Sequence, residues 1–432
     1  MVEVYLITSI AKIMRLKVKT NDLDYQGQGV TRIDDKVTFI KGMFDDEVGI
    51  IEITKSKKNF QQAKLIELIQ KNKERVSENS FDYAPFFGLS LKAECLWQQK
   101  ITKETIKKIT ILDVEVEDTI TDGKKLNYRN KITLHVKNIG GSLKIGTYEE
   151  NSNYLEPIET HHLALPVIND KITILNKWLK TFKLETNDIK NFTLRTNGKD
   201  VMLIIGIKLK FEGIESIIDE LKKHFESIYL NIEKRSFENL SDESIHVYGL
   251  ETLNMTFNHL SFEIGPESFF QVNKDVAILM YDEIKKLTQN HTVIDAYAGM
   301  ASIGQYIDSK KVYAIESNLD SITQAKKILK VNQIDHVELI HGQVEEKLEA
   351  YIKNADVIVF DPPRSGLTES IIELVKLSQI KTIVYVSCDL KSLARDINGL
   401  KDLYDIKKII PVRMFPSTVH VENIVLLSLK TA

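Results

Sequence analysis

The pattern of apolar and polar positions changes character along the chain. From about residue 14 to 58, the short runs LKVKT, NDLDYQGQGV, KVTFIKG and EVGIIEITK are separated by Gly, Asn and Asp. That layout predicts short β-strands joined by tight turns, for which a small barrel is the natural closure. Gly27 and Gly29 flank Gln28 in one predicted turn, and lysines cluster at 55, 57 and 58. The charged stretch from Phe60 to Glu78 reads as mostly helical. Between about 79 and 255, strand-like runs (ITILDVEVED, KITLHVKN, VMLIIGIKLKF) mix with helical ones such as SIIDELKKHFESI, predicting an α+β region. The last third alternates the apolar runs VIDA, VYAIE, DVIVF and TIVYV with helical patterns such as SITQAKKILK and SIIELVKL. This is the signature of a doubly wound parallel sheet, buried on both faces. IKKIIPV and ENIVLLSL then add a terminal hairpin. The expected organisation is α/β, with domains at about 10–72, 73–257 and 258–432.

Composition bounds this picture without identifying a function. A chain of 432 residues that is 43% hydrophobic can bury more than one core. No apolar run approaches the roughly 18 to 20 residues that span a bilayer, and the opening MVEVYLITSIAKIM lacks a signal layout. A cytoplasmic monomer without membrane contact is therefore expected. Two cysteines, Cys95 and Cys388, give no disulfide framework and no Cys-rich metal knuckle. The net charge of -3 means that attraction to any nucleic acid must come from local patches.

The candidate chemistry lies at the predicted carboxyl ends of the C-terminal strands. VIDA runs into a small-residue turn, Ala296-Tyr297-Ala298-Gly299-Met300-Ala301, which lets a ligand approach the backbone. Glu316, at the end of the next strand, can accept both ribose hydroxyls of an adenosine cofactor. Nicotinamide dinucleotides could use the same layout, but no basic residue is placed for a pyrophosphate, which favours S-adenosyl-L-methionine. In Asp361-Pro362-Pro363-Arg364 the two prolines hold an extended loop with the carboxylate over the cleft. Amine methyltransferases use a similar stretch with an aromatic fourth residue; Arg364 here argues against amine methylation and offers a cation to a phosphate. Cys388 follows a strand and precedes the helical run LKSLARDINGL, where backbone N–H groups and the helix dipole favour a thiolate, although Asp389 beside it opposes that. A thiolate adding at carbon 6 of uracil makes carbon 5 nucleophilic, and a base must afterwards remove the carbon-5 proton. Glu422, at the mouth of an apolar strand, is one candidate base, and His420 is the other.

The ordered set SFFQVN (268–273), DAYAGMASIG, AIES, DPPRSGL, YVSCDLKSLARD and MFPSTVHVENIVLL resembles the RNA 5-methyluridine methyltransferase family. The resemblance implies a seven-stranded Rossmann-like methyltransferase domain, S-adenosyl-L-methionine as cofactor, Cys388 as nucleophile and Glu422 as the base. It also implies that Gln271, Tyr297, Gly299, Glu316 and Asp361 contact the cofactor or the target base. More thinly, residues 27–58 are similar to the TRAM domain, a small RNA-binding barrel, and Tyr128-Arg129-Asn130-Lys131 matches a family signature. A TRAM domain points to structured RNA of the 23S rRNA class, with a tRNA T-loop as the alternative.

Departures from the family pattern narrow the expectation. Many rRNA-directed members hold an iron–sulfur cluster with four cysteines. Here SENSFDYAPFFGLSLKAECLW keeps only Cys95, with His161 and His162 near the fourth position, and no cluster is expected. Phe81, Tyr83, Phe86 and Phe87 are expected to fill that space. Ala301 replaces a glycine of the cofactor turn, Asp389-Leu390 replaces Asn-Pro, and Arg413 replaces an acidic residue. A catalytically inactive RNA-binding homologue is the competing reading, and retention of both Cys388 and Glu422 argues against it.

Overall fold

The computed structural model describes residues 3–5, 15–149, 152–181, 188–209, 212–232 and 243–431. The opening segment read above for a signal layout lies outside them apart from Glu3–Tyr5. The chain forms two units: Met1–Glu104 with Phe415–Val421, and Thr105–Met414 with Glu422–Ala432.

Among the described residues, the strands of the first unit form one seven-stranded sheet in the order Glu3–Tyr5, Arg15–Lys19, Val48–Ser56, Phe60–Gln70, Lys36–Lys41, Gly29–Ile33, Asp22–Leu23. Leu16, Val18, Ile33, Ile40, Met43 and Ile51 form its core. The helix predicted over 60–78 is instead an eleven-residue strand, Phe60–Gln70. Helix-favouring Gln, Lys and Glu adopt it because the segment pairs on both sides, antiparallel to Val48–Ser56 and parallel to Lys36–Lys41. Two filled ladders override a weak local preference. The predicted turn at Gly27 is present: the Asp24 carboxylate accepts from the Gln26 and Gln28 N–H groups at 3.0 and 2.7 Å. Gly27 sits at φ +70°, and a Cβ there would come within 2.5 Å of the Phe86 ring, so glycine is required twice over.

The second unit carries two further seven-stranded sheets. The first runs in the order Leu155–Pro157, Ser142–Tyr148, Lys131–Ile139, Ile189–Thr196, Val201–Ile207, Ser227–Ile232, Ser244–Gly249. Its core is shared with helices Pro166–Thr181 and Ile214–Leu221. KITLHVKN and the first seven residues of VMLIIGIKLKF are strands as expected, whereas ITILDVEVED is not. Its first two residues end the helix Leu91–Thr110, and the rest is irregular chain whose Glu117 N–H, followed by that of Ile120 just beyond the run, bonds the terminal hairpin.

The last sheet consists of β1 Thr292–Ala296, β2 Lys311–Glu316, β3 Val337–His341, β4 Val357–Phe360, β5 Thr382–Ser387, β6 Tyr404–Val412 and β7 Glu422–Leu429. The spatial order is β3-β2-β1-β4-β5-β7-β6, parallel except for β7, which is antiparallel to both β5 and β6. The expected α/β architecture is present. Helix α1 Lys274–Thr288 precedes β1, and α2 Ser302–Tyr306, α3 Leu319–Val331, α4 Val344–Ile352, α5 Glu369–Ser378 and α6 Leu390–Leu400 supply the crossovers. β1, β4 and β5 are buried on both faces, as their unbroken apolar runs require. Among the described residues no helix is long and apolar enough to cross a membrane.

Candidate active site

Parallel strands deliver their carboxyl ends to one edge of the sheet, and the order reversal between β1 and β4 opens a crevice there. β1 ends at Ala296, and the chain then passes through three left-handed residues, Tyr297 (φ +63°), Gly299 (+55°) and Ala301 (+56°). Two of the three carry a Cβ, so the turn is held against a conformational cost. The holding group is Glu316, at the end of β2: its carboxylate accepts from the Gly299 N–H at 2.9 Å and from the Asn318 N–H at 2.6 Å. Nothing lies within 4 Å of where a Gly299 Cβ would stand, so the backbone is approachable at this point. The buried Asp295 accepts from the Gly304 N–H at 3.0 Å through one oxygen, while its other oxygen is sealed without a partner. The Tyr297 hydroxyl donates to Glu345 at 3.4 Å.

The second half of the site follows from strand register. β5 and β7 pair antiparallel as far as Ser387 opposite Asn423, and Cys388 and Glu422 are the residues that adjoin this last pair in the chain. Asp361 follows β4, with its N–H on the Ala296 carbonyl. These groups act on one another electrostatically. Burial pushes the Cys388 thiol up to about 11, with the Glu422 and Asp361 charges adding to the rise and the Arg364 guanidinium opposing it. Burial pushes the Glu422 carboxyl up to about 8, Asp361 adding and Arg364 opposing. Asp361 and Asp295 are each pushed up to about 7, burial again the main cause. Buried Glu422 and Asp295 and half-buried Asp361 at such values, with exposed Arg364 relieving Glu422 only in part, make a site suited to a cationic ligand.

These shifts carry a stability signature. The fold favours the protonated carboxyls, so the stability tied to them is fully present below the unfolded carboxylate range and is lost as pH rises toward 8. From pH 5 to 8 the ligand-free protein is expected to lose up to about 1.4 kcal/mol per pH unit through Glu422, which is only 5% exposed. Thermal melts should show Glu422→Gln flattening that fall; equal slopes in the two proteins would contradict the assignment.

Other residues hold the loops that carry these groups. Asp396 on α6 accepts from the Tyr385 hydroxyl at 2.6 Å and the Leu367 N–H at 2.7 Å. It thereby fastens the loop containing Asp361 and Arg364 to the helix that follows Cys388. Arg395 adds bonds to the Ser365 and Leu367 carbonyls. Asn130, from the family-like YRNK run, donates its side-chain amide to the Gln271 carbonyl at 2.9 Å, and buried Arg195 bonds the Gly265 and Ser268 carbonyls. Gln271 itself is half-buried on this tethered loop. Asn130 was visible in the sequence only as part of a signature. Asp396 had a physical signal: it lies on the apolar face with Leu393, Ile397 and Leu400, where an acid needs partners.

Some expectations change. The dipole of α6 is not free to stabilise a thiolate, because the Asp389 carboxylate caps that helix, accepting from the Lys391 and Ser392 N–H groups at 3.1 and 2.8 Å. β7 begins at Glu422, so His420 precedes the strand, exposed, and falls in the first unit. Buried Arg413 bonds the Lys124 carbonyl at 2.6 Å. Buried His161 is pushed down to about 3, chiefly by burial, and Cys95 is half-buried on its helix. Among the described residues no three His, Cys, Asp or Glu side chains gather to hold a metal. Phe81 stacks on Tyr83 at 5.3 Å and meets Phe87 edge-on at 4.9 Å, while Phe86 packs edge-on against Trp97 at 4.7 Å.

A β3-β2-β1-β4-β5-β7-β6 sheet with an approachable glycine turn after β1 and a carboxylate at the end of β2 defines an S-adenosyl-L-methionine-dependent methyltransferase. The match to the family described as tRNA (Uracil-5-)-methyltransferase covers residues 98–430, and the chain belongs to that family of RNA-modifying enzymes. An uncharacterized RNA methyltransferase of Caldanaerobacter subterraneus subsp. tengcongensis is 31% identical over 95% of this chain and 97% of its own length. Another, from Listeria innocua, is 30% identical over 98% and 99%. Among solved structures, the Pyrococcus abyssi tRNA (uracil-54, C5)-methyltransferase in complex with S-adenosyl-L-homocysteine shares the fold, with a TM-score of 0.77 at 22% identity over 95% of this chain and 100% of that one.

Proposed function

We propose that the enzyme methylates carbon 5 of a uridine in 23S rRNA, with Cys388 as the covalent nucleophile and Glu422 as the base that resolves the adduct. What supports this reading is the register of β5 and β7, whose last pair, Ser387 with Asn423, directly adjoins Cys388 and Glu422 in the chain. S-adenosyl-L-methionine supplies an electrophilic methyl on a sulfonium, whose positive charge offsets the buried carboxyls. Gly299 and Glu316 would hold its nucleoside end, and Tyr297, Gln271 and Asp361 would line its reacting end and the target base.

The Cys388 thiol gives up its proton to water, the sulfur adds to carbon 6 of uracil, and the electron pair of the 5,6 double bond moves toward the carbon-4 oxygen. Carbon 5, now nucleophilic, would take the methyl group of S-adenosyl-L-methionine as its methyl–sulfur bond breaks and S-adenosyl-L-homocysteine leaves. Glu422 then accepts the carbon-5 proton, the double bond re-forms and the Cys388 thiolate departs. Arg364, exposed beside this group, is placed to meet an RNA phosphate and to hold negative charge in check at the thiol. A flipped-out uridine is required, since neither face of a stacked base can be reached. The ribosomal reading rests on the likeness of residues 27–58 to the TRAM domain, and the tRNA enzyme that shares the fold over 95% of this chain keeps the tRNA T-loop as the alternative.

Mass mapping of 5-methyluridine in total RNA from a deletion strain tests the substrate. The expected result is loss of a 23S rRNA site with the tRNA T-loop signal unchanged; loss confined to tRNA would replace rRNA by the alternative.

A further inference from the structure

S-adenosyl-L-methionine ends in an amino acid, whose ammonium suits the acids of the site and whose carboxylate does not. Near Asp295, Asp361 and Glu422 that carboxylate meets like charge, so it needs neutral donors held in place. Two hydroxyls stand there. Tyr281, in the middle of α1, meets Ser302, the first residue of α2, with 3.1 Å between their oxygens. Ser302 directly follows Ala301, the last left-handed residue of the turn after β1. The hydroxyl pair lies within reach of the acids: burial pushes the Tyr281 hydroxyl up, the bond with Ser302 opposes this, and the Asp361, Asp295 and Glu422 charges add to the rise. The phenol therefore keeps its proton.

Packing holds the Tyr281 ring. Phe257 meets it edge-on at 5.7 Å and Tyr306 lies tilted against it at 5.6 Å. Tyr306 is itself pinned, its hydroxyl donating to Asp282 at 2.7 Å and accepting from the Asn258 amide at 2.6 Å. Tyr281 is sealed at 2% exposure, whereas Ser302 is half-buried. Among the described residues neither hydroxyl bonds any other side chain. The pair carries two protons and spends one on the bond between them. With the phenol donating to the serine oxygen, the unspent proton belongs to the residue that a ligand can reach. We infer that Ser302 donates this proton to the carboxylate of S-adenosyl-L-methionine, and that Tyr281 is the positioning residue that turns the serine hydroxyl toward it. The inference concerns the methyl donor alone and does not depend on which base receives the methyl group.

Calorimetric titration of the full-length protein separates the parts of the ligand. The probes are S-adenosyl-L-homocysteine, its decarboxylated analogue, and methylthioadenosine, which lacks the whole amino acid. Ser302→Ala should weaken S-adenosyl-L-homocysteine binding by at least about tenfold and Tyr281→Phe by about fivefold. Both variants should bind the other two probes as tightly as the wild type does. In the double variant the Tyr281→Phe loss should disappear, because no serine hydroxyl is left to orient. Phenylalanine keeps the ring packing, and a melt without ligand checks that each variant folds. Equal weakening of all three probes would make the pair a prop for the turn. Equal weakening of S-adenosyl-L-homocysteine and its decarboxylated analogue, with methylthioadenosine spared, would give the hydroxyl to the ammonium. Either result overturns the inference, as does wild-type affinity for S-adenosyl-L-homocysteine in the Ser302→Ala protein, and none of them touches the roles of Cys388 and Glu422.

Discussion

Replacing Cys388 by alanine is expected to lower methyl transfer to RNA by at least about 10⁴-fold, because without addition at carbon 6 there is no nucleophilic carbon 5 to receive the methyl group. The cofactor pocket should be unaffected. Gly299, Glu316 and Asp295 are held by bonds among β1, β2 and α2, none of which involves the thiol, so S-adenosyl-L-homocysteine should raise the thermal midpoints of variant and wild type alike. Transfer of labelled methyl groups to RNA reads the first quantity and a melt with and without ligand reads the second. Turnover within a few-fold of wild type would remove Cys388 from the mechanism.

The second large effect is expected from Glu422→Gln. Glutamine keeps the volume of a buried side chain and removes its capacity to accept the carbon-5 proton. Addition and methylation then proceed, and elimination stalls. The methylated RNA should stay joined to Cys388 and migrate with the protein on a denaturing gel. That band should be missing from the Cys388→Ala, Glu422→Gln double variant, which separates a thioether adduct from tight non-covalent binding. Normal turnover by the glutamine variant without a trapped species would transfer the base role to another group. Asp361 is the first to consider, since its charge reaches both Cys388 and Glu422.

The catalytic sheet was legible because parallel strands buried on both faces leave unbroken apolar runs. VIDA, DVIVF and TIVYV fall within one residue of β1, β4 and β5. Short polar runs are less readable: VELIH, which became β3 at the sheet edge, alternates too weakly to stand out. Phe60–Gln70 was misread as helical because its side chains favour helix and only the flanking ladders make it a strand. At the site, Cys388, Glu422 and Asp361 could be named from their positions beside strand ends. Their electrostatic state could not. The Asp389 cap and the burial that lifts the thiol to about 11 depend on how loops close over the sheet, and no local pattern encodes that. The same holds for Asp396 and Arg195, whose partners lie far away in sequence.

Phe415–Val421, the seven residues immediately before Glu422, fold with the N-terminal unit rather than with the sheet that β7 completes. The Ser417 N–H sits on the buried Glu94 carboxylate at 2.8 Å, the Ser417 carbonyl accepts from the Phe86 N–H at 3.0 Å, and Val419 borders Gly27. The two units are thus interleaved along the chain. A fragment beginning at Thr105 would keep this short insertion but lose Glu94, Phe86 and Gly27, which meet it in the N-terminal unit, and the carboxylate directly downstream would start from a stem without those contacts. Swapping the N-terminal unit between homologues to redirect substrate choice would therefore require transplanting the 415–421 insertion with it, making the pair a single heritable cassette.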